Sequence, residues 1–165
     1  MAELRNDSGA LRFAVELVSR EASPGIRPAE GASQGGQGSI LATAGLEYLD
    51  RRDGEWWPLV RLPVLYIPAH AAEMLASQVA DFLHGSAPGF VWRPGDDAAA
   101  GLQLGAAPGG AIVEVGLDLG AFLAESAGVP RRPDAELALF RFRATQADLV
   151  RFSDALAREL EALRR

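Results

Sequence analysis

The side chains that could carry chemistry in this chain are few and scattered. Gly31-Ala32-Ser33-Gln34-Gly35 spells G-x-S-x-G, the pattern that holds a nucleophilic serine on the strained turn between a buried strand and a helix. Here no apolar strand precedes it and no helical pattern follows it, so it reads as a chance match in a Gly/Ser-rich run. His70 and Glu73 stand one turn apart on an expected helix, but a metal site needs three or four ligands. His84 lies about four turns further on, roughly 21 Å along a helix axis, and cannot share a site with His70 on that helix. Asp50 with Asp53, and Asp96-Asp97, offer oxygen ligands but lack the spaced Asp/Asn pattern and closing Glu of a calcium loop. They read as turn residues. Glu114 and Asp118 have even spacing on one strand and share a face. Glycosidase chemistry needs two carboxyls flanking a cleft, and a solvated strand face accounts for this pair equally well. No catalytic, cofactor-binding or metal-ligating set is expected.

Composition narrows the field further. The 165 residues contain no cysteine, and all 16 basic residues are arginine. That excludes disulfides, thiol nucleophiles and cysteine-held zinc or iron–sulfur centres. It also excludes a P-loop lysine, a Schiff base and a lysine general base. The formal net charge of −6 argues against a nucleic-acid partner, because phosphate neutralisation calls for a basic patch. An acidic surface instead steers a basic partner. Met1 to Asp7 shows no basic region followed by an apolar run, so no signal peptide is expected. No stretch approaches 18 uncharged apolar residues, so no membrane partner is expected either. The expected location is the cytoplasm, and the Ala/Gly/Arg/Pro bias points to a bacterial source.

The tryptophans carry the most information about binding. Adjacent residues on a strand point to opposite faces, so Trp56 and Trp57 cannot both enter one core. One of them is left at a surface, and exposed tryptophan is a common interface anchor. The candidate interface is therefore Trp56, Trp57 and Trp92, with Asp53 and Glu55 as acidic neighbours. A second layer or a covering loop is the alternative fate for the surplus indole.

Three strands, a helix, about four strands and a helix must position these residues. Leu11 to Val18 alternates apolar and polar residues, the mark of a half-buried strand. Ser23 to Ser39 is Gly/Ser/Pro-rich and nearly free of large apolar residues, so residues 23–39 are expected to form a mobile loop. Alternation resumes over Ile40–Asp50, with Ala42, Ala44, Leu46 and Tyr48 on one face. Arg51-Arg52-Asp53-Gly54 has the chemistry of a tight turn. Trp56 to Tyr66 forms a third strand, and because Pro58 and Pro63 lack ladder donors it must lie at an edge, bulge or break.

Pro68 opens a helix with Ala72, Leu75, Val79 and Phe82 at helical spacing, stopped at Gly85. Phe90–Arg93, Leu102–Leu104, Ala111–Leu119 and Glu136–Arg143 read as strands, and Phe122–Ala127 is ambiguous. Thr145 and Asp148 form a capping-box-like start to a final helix. Its stripe is Leu149, Phe152, Leu156, Leu160 and Leu163, with Asp154–Arg158 and Glu161–Arg165 as i,i+4 pairs. The expected architecture is a single α+β domain spanning 1–165. It comprises an antiparallel sheet of about six or seven strands with two helices packed on it, the second C-terminal.

This element order, with Pro68-Ala-His-Ala-Ala-Glu-Met-Leu in the first helix and Leu139-Phe-Arg-Phe-Arg-Ala-Thr-Gln-Ala-Asp-Leu-Val-Arg-Phe near the end, resembles WapI-type immunity proteins. These are small bacterial α+β proteins that bind and neutralise a cognate toxin domain. The resemblance rests on element order and a few apolar positions, and it transfers no functional residue. The 23–39 insertion and the proline-interrupted third strand depart from the pattern. The leading expectation is a non-enzymatic protein-binding domain, an immunity protein being the form the resemblance implies. One alternative is a structural or accessory subunit of a larger assembly, including a homo-oligomer. Another is an enzyme working with carboxylates and serine.

Overall fold

A computed structural model describes residues 1–21, 38–94, 100–118 and 137–165. The expected loop, the G-x-S-x-G match, Asp96-Asp97 and Phe122–Ala127 lie outside those residues or almost wholly so, as does the Asp118 side chain. The described elements are β1 (Ala2–Arg5), β2 (Leu11–Glu21), β3 (Ser39–Leu49), β4 (Trp56–Pro68), α1 (Ala69–Leu83), β5 (Gly89–Trp92), β6 (Ala100–Ala107), β7 (Gly110–Asp118), β8 (Leu137–Thr145) and α2 (Gln146–Ala162).

The fold is α+β with a C-terminal helix, as expected, but the strands form two sheets. Each described sheet has four antiparallel strands, ordered β1-β2-β3-β4 and β5-β6-β7-β8. The strand missing from the expectation is β1, whose four residues Ala-Glu-Leu-Arg are too short for alternation to register. Ala2 and Leu4 are fully buried because β1 pairs with β2 and lies along α2. The described chain thus repeats one unit, four antiparallel strands followed by a helix, though no sequence repeat is visible.

The two units interlock. The second unit's helix, α2, packs along β1 of the first, while α1 reaches β5 of the second, and the helices pack on each other. Polar bridges follow the same crossing. Glu159 of α2 accepts the Leu17 N–H of β2 at 2.8 Å, beside the register shift between Leu17 and Ser19. The inner faces of both sheets and the apolar stripes of both helices join one buried cluster. Burial of that apolar area is the main driving force for the arrangement.

Local chemistry explains the element ends. Of the three prolines in β4, two fall at register shifts: Pro63 lies between the partners of Ala42 and Ala44, and Pro58, the partner of Glu47, adjoins the bulged Leu59. Among the described strands β4 also lies at the edge of its sheet, which is where a missing donor costs least. Pro68 is the N-cap of α1. That helix ends at His84, followed by Gly85 at φ +74°, a left-handed position glycine fills without strain. At α2, Thr145 Oγ1 accepts the Asp148 N–H, the N-cap half of a capping box, and its hydroxyl donates to the Asp148 carboxylate, which therefore meets the cap's side chain rather than its backbone N–H. Leu149, Phe152, Leu156 and Leu160 are buried as the stripe requires. Glu161 pairs with Arg165 at 3.9 Å, whereas the expected Asp154–Arg158 pair is not closed.

Candidate functional site

The site is built on the hairpin between β3 and β4. Asp50 accepts the Gly54 N–H through its carbonyl and the Arg52 N–H through Oδ1. Asp53 Oδ1 accepts the Glu55 N–H at 2.8 Å. Gly54 sits at φ +75°, which allows the chain to reverse tightly. Asp53 therefore shapes the turn, and Glu55 stands exposed beside it.

Trp56 and Trp57 leave this turn on opposite faces of the sheet. Trp56 pairs in register with Leu49 on the outer face. The Arg12 guanidinium lies 4.3 Å from its ring centroid, and that of Arg5 lies 5.5 Å away. Both are cation–π distances. Arg12 is itself held by two carboxylates. It contacts Glu3 at 2.6 Å, and it reaches Glu47 through both Nε at 2.7 Å and Nη2 at 2.6 Å. Trp56 is thus roofed by an ion network that spans β1, β2 and β3, and it is only partly exposed.

Trp57 lies on the face that elsewhere forms the core. Its cross-strand neighbour is Tyr48, and the next is Leu11. The neighbouring row inward, Phe13, Leu46 and Val60, is core or packed on it. The row of Trp57 overhangs that core: Trp57 is 50% exposed, Tyr48 is exposed too, and Leu59 beside them at the bulge is 49% exposed. Neither tryptophan enters the interior, because one is stacked under Arg12 and the other lies past the core's end.

Trp92 does not belong to this surface. It is 2% exposed, and its Nε1–H donates to the Ala71 carbonyl oxygen of α1 at 2.7 Å. It presents no area to a partner, and the reason is the crossing of α1 onto β5, a contact that strand alternation alone does not reveal. Asp53, Glu55, Trp56 and Trp57 are brought together, then, and Trp92 is set apart from them. Tyr48 and Leu11 belong to the site but were not singled out. Tyr48 was legible in principle, since it shares a face with Leu46 and lies opposite the strand after the turn.

The other candidates are placed differently. His70 is exposed, and Glu73 accepts from Arg164, just past the end of α2, at 3.1 Å rather than facing a histidine. His84 caps the C-terminus of α1. Among the described residues, no group of three or more His, Asp or Glu is placed to hold a metal ion. A shallow groove between β1 and α2 is lined by both signs of charge, with Arg5 paired to Glu3 and Arg151 to Asp148. No described helix is long and apolar enough to cross a membrane.

No family model matches the chain, and no curated protein matches it. Among solved structures, the plant transcriptional regulator PBF-2 is similar at 13% identity and a TM-score of 0.45, covering 94% of this chain and 78% of that one. A likeness at that identity and score supports no reading of function.

Proposed function

We propose that the chain is a non-enzymatic protein-binding domain whose recognition surface is the overhanging end of the first sheet. Trp57 carries this reading. A half-exposed indole flanked by Tyr48 and Leu59, on a face otherwise given to the core, has the composition of an interface centre. Asp53 and Glu55 form its acidic rim and would steer a basic partner. A toxin-neutralising role in a bacterial cytoplasm is the specific form suggested by the resemblance to WapI-type immunity proteins. A toxin gene beside this one, with its purified product binding the chain but not Trp57→Glu, is the expected result. Equal binding by Trp57→Glu would remove the surface from consideration.

One observation favours a second reading, a subunit that assembles edge to edge. Among the described strands, β4 lies at the edge of its sheet and runs 13 residues, of which Arg61 alone is charged. Edge strands are normally blunted by charge, proline or cover, and here proline is the main device. Light scattering decides between the readings, since a concentration-independent monomer excludes the homo-oligomer.

A further inference from the structure

The outer face of the second sheet has features that the fold itself does not explain. Residue pairing there is uninterrupted across all four strands, so no bulge calls for glycine. Yet Gly101 and Gly105 of β6 and Gly116 of β7, both central strands, occupy outer-face positions. None of the three has a positive φ. A Cβ at Gly105 would meet nothing within 4 Å, and at Gly101 and Gly116 only ordinary contacts of 3.4 Å or more. Glycine weakens a strand, and an unforced glycine in a central strand marks a place where another backbone or ligand comes close.

Two further observations bear on what comes close. Leu139 is 63% exposed and Val91 55% exposed on this same face, although the inner face already supplies the core. Among the described residues, the charged positions on it are Arg93 beside Gly101, Arg141 and Arg143 against Glu114 and Asp118, in a chain whose total charge is −6. Arg141 and Arg143 are exposed, and Arg143 Nη2 also donates to the Pro108 carbonyl oxygen at 3.0 Å. The face carries three arginines against two carboxylates, is partly aliphatic, and lacks Cβ atoms at three positions that flank its central Gln103–Glu114–Arg141 row.

We infer that this face is a second docking surface, and that it takes an extended acidic peptide segment carrying aliphatic side chains. The acids complement the arginines, the aliphatic side chains pack on Leu139 and Val91, and the peptide backbone settles over the glycines. A nucleic-acid strand fits less well. Among the described residues the face has no aromatic ring on which a base could stack, and Glu114 stands at its middle. This surface is separate from the Trp57 surface, so each can fail alone.

The test uses the full chain and a fluorescein-labelled twelve-residue peptide of repeating Glu-Glu-Val-Val, which puts both residue types on each face of an extended chain, read by anisotropy. A Gln-for-Glu peptide and a labelled oligothymidylate serve as comparisons. The proposal expects saturable binding of the Glu peptide, at least tenfold weaker binding of the Gln peptide, and weakening as salt rises. Gly105→Thr fills open space, so it should leave the melting temperature unchanged or raised while weakening binding at least tenfold. Arg141→Gln gives a second variant with the same expected loss, and Trp57→Ser should bind the peptide as the parent does. The proposal is overturned by absent binding at millimolar peptide. Full binding by both Gly105→Thr and Arg141→Gln, or oligothymidylate binding tighter than the peptide, would also overturn it.

Discussion

The indole Nε1–H of Trp92 donates to the carbonyl oxygen of Ala71 at 2.7 Å inside the core, joining the first strand of the second sheet to the first turn of α1. It places a polar donor in the interior with its partner already met, the condition under which a buried indole is tolerated. Trp92→Phe removes the donor and part of the ring. The expected cost is about 1–3 kcal/mol, from a lost hydrogen bond and a partial cavity. Urea denaturation checks this, and binding at the Trp57 surface should be unaffected.

A second cross-unit tie runs from the Leu17 N–H to Glu159. Hydrogen bonds to a charged partner contribute about 1.5–3 kcal/mol. Glu159→Leu continues the apolar stripe of α2 but strands that amide, so it should destabilise by about 1–3 kcal/mol. Faster hydrogen exchange at the Leu17 amide would locate the effect. An unchanged exchange rate would show that the Glu159 carboxylate does not protect this amide.

Leu156 is fully buried at the centre of the α2 stripe. Leu156→Ala should cost about 2–5 kcal/mol, as a large-to-small change does in a packed core. Because α2 lies along β1 and also contacts β7 and β8, the loss should appear as one cooperative transition shifted in midpoint. Two separate transitions would show that the units melt independently.

The neighbouring tryptophans should respond oppositely. Trp56 sits under Arg12, and cation–π contacts contribute about 0.5–2 kcal/mol. Trp56→Ala should therefore lower stability by an amount readable in urea. Trp57, overhanging the core, should cost little when replaced and should matter for binding instead. Equal destabilisation by both would mean that Trp57 is packed after all.

Helix α2 is legible in the sequence, apart from the open Asp154–Arg158 pair, because a 3.6-residue stripe and a Thr/Asp cap are local signals. The β3–β4 hairpin was legible for the same reason, through Asp53-Gly54 and the prolines of an edge strand. What local pattern does not encode is which elements cross. That is why Trp92 read as a candidate anchor when α1 buries it, and why one sheet could not be told from two. The opposed faces of Trp56 and Trp57 followed from strand geometry. That both lie outside the core depends on where the core stops and on Arg12, 44 positions away in sequence, coming to rest on an indole.

The most direct measurement places a photo-crosslinking amino acid at position 57, with the exposed Met74 position on α1 as the control, in cells that make the protein at native level. The Trp57 reading predicts one discrete protein adduct at position 57 that is absent at position 74. That protein, once purified, should bind the parent chain and bind Trp57→Glu at least tenfold more weakly. Equal crosslinking at both positions, or none at 57, would contradict it.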